Sequence, residues 1–142
     1  MQMINQFLIY SYLIICTYTD FKKRVIYPLI SMIFSFLGFI LNYIIFAQSF
    51  SHLYTNIFFI IFLILIYFLS RKQLGLGDII MFFSLCFFIN SSEYLTLFFY
   101  SFFSASIFAI FYLVFRKKNR LYRIPLAPFI LFGKLFSDLF IF

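Results

Sequence analysis

Residues 53–70 read LYTNIFFIIFLILIYFLS, from Leu53 to Ser70, with no charged side chain anywhere in the run. A membrane-crossing helix needs about 20 mainly apolar residues, with a working range of about 17 to 25. The run falls within that range. No alternation of apolar and polar residues interrupts it, so it reads as a helix and not as a barrel strand. The polar stretch RKQLGLGD then leads from Arg71 to Asp78, where a second apolar run begins.

Working outward from this stretch, polar interruptions divide the chain into six apolar segments. They run from Met3 to Thr19, Val25 to Ala47, Leu53 to Ser70, Asp78 to Asn90, Tyr94 to Phe115 and Ile124 to Phe142. The chain has 142 residues, of which 65% are hydrophobic and 11% charged. Soluble domains are closer to one half apolar, so the bilayer is the expected solvent. The predicted fold is all-α, a polytopic membrane bundle of about six transmembrane helices forming a single domain over residues 1–142. No basic residue precedes the first apolar run and no small-residue cleavage site follows it, so that run is expected to be a permanent helix and not a signal peptide.

Basic residues give the expected orientation, because Lys and Arg in short loops stay on the cytoplasmic side. Lys22, Lys23 and Arg24 follow the first segment, and Arg71 and Lys72 follow the third. Arg116, Lys117, Lys118, Arg120 and Arg123 lie between the fifth and sixth. The loops on the other side hold Gln48, Ser49, Ser51 and His52, or Asn90, Ser91, Ser92 and Glu93. Both termini are therefore expected outside. Topology and anionic lipid account for the net charge of +7, and nucleic acid is not an expected partner. The exception, Lys134, has Asp138 four residues on, a spacing that pairs them on one helix face.

Cys16 and Cys86 sit singly inside apolar runs, with no CxxC pair or Cys/His cluster that could hold zinc, so they read as core residues. No metal or cofactor is called for. The 27 Phe residues, beside an absence of Trp, carry no functional reading.

The chain has four acidic side chains, and topology sorts them. Glu93 falls in an outer loop and Asp138 near the outer carboxy terminus. Asp20 ends the first segment and Asp78 opens the fourth, so these two share the cytoplasmic surface, where their helices could bring them together. The fourth segment, at about 1.5 Å per residue, covers roughly 20 Å of a hydrocarbon core of about 30 Å. Either its helix extends past Asn90 or Asp78 is recessed, and a recessed Asp is expected to face the bundle interior or a wet cavity. In GLGD, Gly75 and Gly77 let the backbone take positive φ and approach another chain closely. Asp78 alone also suits a helix N-cap, and Asp20 alone suits a solvated neutraliser of Lys22, Lys23 and Arg24. The GxG pair is too little for a nucleotide loop.

Three stretches resemble the prepilin peptidase family of GxGD-type aspartyl proteases. Gly75 to Asp78 matches the GxGD box. DFKKRVIYP, with Asp20, Arg24 and Ile26, resembles the segment around the family's other catalytic Asp. IPLAPFILFG, from Ile124 to Gly133, looks like the Pro-containing start of its last core helix. Tyr27 and Pro28 follow Ile26 where the family usually has Pro-Asn, and Ile80 stands where it favours Lys.

The resemblance implies an aspartic endopeptidase with Asp20 and Asp78 as the catalytic pair, supported by Gly75, Gly77, Arg24, Pro125 and Pro128. It implies a short form without the methyltransferase region, hence cleavage without methylation. The implied substrate is a pilin-like precursor whose short basic leader is cut on the cytoplasmic side, after a small residue such as Gly, while its apolar helix docks against the bundle. The bland reading of Pro125 and Pro128 is a pair of helix-start prolines. The rival reading is a non-enzymatic transporter subunit or assembly factor in which the acids relay protons or pair with Arg24.

Overall fold

The computed structural model describes residues 2–45, 50–69, 75–116 and 125–140. Six helices form among them. α1 spans Gln2–Lys23 and α2 Pro28–Phe39, the latter continuing as a π-helical turn over Ile40–Ile45. α3 spans Ser51–Leu69, α4 Leu76–Leu85, α5 Ser91–Arg116 and α6 Ala127–Phe140. The all-α bundle expected from the sequence is what the chain forms. Among the described residues, three stretches are long and apolar enough to cross a membrane: Pro28–Ile45, Ser51–Leu69 and Ser91–Tyr112. Arg71, Lys72, Lys117, Lys118, Arg120 and Arg123, on which much of the orientation argument rests, lie outside the described residues.

The bundle is apolar outside as well as inside. Leu29, Met32 and Phe36 of α2, and Phe58, Phe62, Leu65 and Phe68 of α3, point outward as helical stripes. Water would penalise such stripes, whereas lipid tails solvate them at no cost. Inside, Phe82 packs among Tyr94, Phe98 and Phe102, and Cys16 and Cys86 are buried beside them in the core. The most extensive helix pairing is α5 with α6. A methyl group added at Gly133 would lie 2.3 Å from Ser101 Oγ and 2.9 Å from the Leu97 carbonyl oxygen, so the absent side chain sets the approach of these two helices.

α4 settles the alternative left by its length. The helix stops at Leu85 after 10 residues, about 15 Å of rise, and the chain turns through residues 86–90 into α5. It does not extend past Asn90. A helix break inside a membrane bundle survives only where its carbonyls find partners within the protein. Asn56 Nδ2 donates to the carbonyls of Cys86 (3.2 Å) and Ile89 (2.8 Å), and Asn42 Nδ2 donates to Phe87 (3.1 Å). Asn42 lies in the π-helical turn that ends α2 and also donates to Gly38 four residues back. Tyr94 Oη donates to the Phe82 carbonyl from α5 (2.9 Å).

α1 and α6 run antiparallel, tied at two points. Asp20 meets Ala127, and Tyr10 Oη donates to Asp138 Oδ2 at 2.6 Å. Lys134, 1% exposed, pairs with Asp138 as its spacing predicts, and also with Glu93 at 3.7 Å. Glu93 is not a loop residue but part of the first turn of α5. Lys134 thus joins α5 to α6, and Tyr10 adds α1.

Candidate active site

Asp20 sits one turn from the end of α1, which runs four residues further than the apolar segment because Asp20, Phe21, Lys22 and Lys23 continue the helix. It is buried, with only 7% of its surface exposed, so the solvated role that Asp20 alone would suit does not hold. Lys22 and Lys23 direct their ammonium groups instead at the Tyr18 and Tyr27 hydroxyls, at 3.3 and 3.1 Å. Asp20 Oδ2 accepts the backbone N–H of Ala127 at 3.2 Å. The Arg24 charge also bears on it.

Arg24 terminates α1. Its N–H returns to the Asp20 carbonyl at 2.9 Å and its φ is +53°, the left-handed conformation in which helices commonly end and which glycine usually supplies. The glycines of the GLGD stretch behave otherwise: among the described residues no glycine has positive φ. The positive φ expected at Gly75 or Gly77 is absent because α4 begins directly there, with Gly75 as an extended N-cap (φ −72°, ψ 132°).

What these glycines provide is space. A methyl group at Gly75 would stand 2.7 Å from Asp78 Oδ2, and one at Gly77 would stand 3.0 Å from Ile26 Cβ. The close approach expected of the stretch is therefore real, and its partner is the segment between α1 and α2. Asp78 is not the N-cap of α4 but lies in its first turn, and its carboxylate turns back on the Gly75 amide, as the third helical residue of a capping box does. Asp78 is half-buried, and the negative charge of Asp20 bears directly on it. The two acids singled out by topology are brought within electrostatic reach of each other, one from the end of α1 and one from the start of α4.

The start of α6 completes the surroundings. Pro125 precedes the helix by two residues and Pro128 is its second, both half-buried. Neither interrupts a helical hydrogen bond, as expected of helix-start prolines. The sequence marked this stretch without revealing that the N–H between the two prolines, that of Ala127, reaches Asp20. That contact is between residues 107 apart, and no local pattern encodes it. The Lys134, Glu93, Asp138 and Tyr10 group lies toward the far end of α1 and α6 and does not join the Asp20 and Asp78 pair. Among the described residues no His, Cys, Asp and Glu group is placed to hold a metal ion.

An all-α membrane bundle with two interacting carboxylates at helix ends is the class that fold and site define. The type IV leader peptidase family matches residues 7–110, most of the chain, and the protein belongs to that family. It is thus a leader-peptidase-like protease. The matched region holds Asp20, Arg24, Gly75, Gly77 and Asp78, whereas Pro125 and Pro128 lie beyond it. No curated protein and no solved structure matches the chain.

Proposed function

We propose that the chain is an aspartic endopeptidase of the cytoplasmic membrane in which Asp20 and Asp78 form the catalytic pair. The substrate is a pilin-like precursor, a short basic leader followed by an apolar helix, cut at the cytoplasmic face. Both termini of the enzyme lie outside. The observation that carries this reading is that two carboxylates drawn from separate helices lie near enough for the charge of Asp20 to bear on Asp78.

Two close carboxylates in a partly desolvated site do not both ionise, so the pair holds one proton and offers an acid and a base together. The ionised member takes a proton from water as the water oxygen bonds to the scissile carbonyl carbon. The protonated member gives its proton to the carbonyl oxygen. Collapse of the tetrahedral intermediate breaks the C–N bond, the departing nitrogen takes the proton won from water, and the other proton returns to the carboxylate that gave it. No cofactor enters this scheme. Gly75 leaves room for the Asp78 carboxylate, Gly77 seats α4 on Ile26, and the Ala127 N–H holds Asp20, on which the Arg24 charge also bears.

The test is cleavage of a co-expressed pilin-like precursor, read as a mobility shift, by the protein and by Asp20→Asn and Asp78→Asn. Loss of cleavage in both variants, with both still folded in the membrane, is the expected result. Retained cleavage in either removes the aspartic mechanism.

A further inference from the structure

The two carboxylates differ in what surrounds them. At the start of α6 the Leu126 carbonyl accepts the N–H groups of Phe129 (2.9 Å) and Ile130 (3.1 Å), while Pro128 has none. Ala127 N–H is therefore the donor of the first turn that points away from the helix, and it is spent on Asp20 Oδ2. On α1 itself, Cys16 lies one turn before Asp20 and Arg24 one turn after, and the Arg24 charge is felt at Asp20. From α4 the facing group is Asp78. The Lys22 and Lys23 ammonium groups are turned to tyrosine hydroxyls.

Asp78 has a backbone amide of its own, that of Gly75. Repulsion between the two carboxylates is mutual; what sets Asp20 apart among the described residues is the cation one turn further on, Arg24, whose N–H returns to the Asp20 carbonyl at 2.9 Å. Arg24 moreover occupies a left-handed backbone position that a glycine would fill without steric cost. Backbone strain of this kind persists only where the surrounding structure over-determines it, and here it falls one turn from Asp20.

Resting on the aspartic reading above, we propose that Arg24 is a positioning residue. Together with the Ala127 amide it keeps Asp20 as the ionised partner, so Asp20 is the base that activates water and Asp78 is the acid that carries the proton. In the step written above, the water proton goes to Asp20 and then to the departing nitrogen. The proton lent to the carbonyl oxygen comes from Asp78 and returns to it.

The experiment measures cleavage of a synthetic precursor peptide, basic leader plus apolar helix, by the purified full chain in lipid vesicles as a function of pH. Arg24→Gly and Arg24→Asn both suit the left-handed backbone, which guards the comparison against unfolding, and Arg24→Lys retains the charge. With the cation removed, Asp20 is protonated more easily. The acid limb of the rate profile then moves to higher pH by about one unit, a roughly tenfold loss on the acid side that exceeds the loss on the plateau. Arg24→Lys restores most of the limb, and Arg24→Gly unfolds at the same or a higher temperature than the parent.

An acid limb that stays in place, moves to lower pH, or drops equally at every pH in the Gly and Asn variants overturns the proposal. Asp20→Asn and Asp78→Asn run in the same assay separate the two failures. If either still cleaves, the aspartic reading falls; if both are inactive and the limb does not move, the role given to Arg24 falls alone.

Discussion

Ala127 N–H meets Asp20 Oδ2 at 3.2 Å, joining the start of α6 to the end of α1 at a buried point. The same carboxylate thus serves a structural contact and the proposed chemistry, and substitutions can separate the two. Asp20→Asn keeps an acceptor for the Ala127 amide, whereas Asp20→Leu leaves that amide orphaned at a cost of about 1–3 kcal/mol. Both variants are expected to be inactive, with the Leu variant alone unfolding earlier in a detergent-titration unfolding experiment.

Gly75 and Gly77 are constrained by different neighbours, which predicts different outcomes. Gly75→Ala places a methyl group 2.7 Å from Asp78 Oδ2 and forces the carboxylate aside, so cleavage falls by ten- to a hundredfold (about 1.4–2.8 kcal/mol in the barrier) with little change in stability. Gly77→Ala instead presses on Ile26. Its loss of activity should be partly recovered by Ile26→Val, the coupling being measured as a double-mutant cycle on cleavage rate.

Lys134 is enclosed between Asp138 and Glu93. Lys134→Met removes the buried cation from between two partly exposed acids, which is expected to destabilise the fold. The combined Lys134→Met and Asp138→Asn variant should recover part of that loss. Unfolding midpoints of the two variants in mixed micelles check the order.

The break after α4 depends on two asparagines. Asn56→Leu orphans the Cys86 and Ile89 carbonyls and Asn42→Leu orphans that of Phe87. Each unpaired buried carbonyl costs about 1–3 kcal/mol, so Asn56→Leu is expected to be the more destabilising. Amide hydrogen exchange of residues 86–90 should rise first in that variant.

Gly133→Leu pushes α6 off α5 at Ser101 and Leu97. A loss of at least about 2 kcal/mol is expected, as for overpacking of a dense core, together with weaker cleavage because α6 also carries Ala127. A crosslink between cysteines placed on α5 and α6 would report the separation.

The sequence by itself determined that this is an all-α membrane chain, since an uninterrupted apolar run such as Leu53–Ser70 has no other stable form in lipid. It also isolated Asp20 and Asp78, because only four acids had to be sorted, and it announced the Lys134 and Asp138 pair by spacing alone. These signals are local, carried by length, charge and the helical repeat. Tertiary structure decided what lies between segments: that Ala127 rather than solvent meets Asp20, that Gly75 and Gly77 give room to Asp78 and Ile26, and that Glu93 reaches Lys134. It also placed the left-handed residue at Arg24, where α1 must turn toward α2, and not in the glycine stretch. Such relations depend on the register in which α1, α4, α5 and α6 pack, which residues distant along the chain fix jointly and no single window of sequence contains.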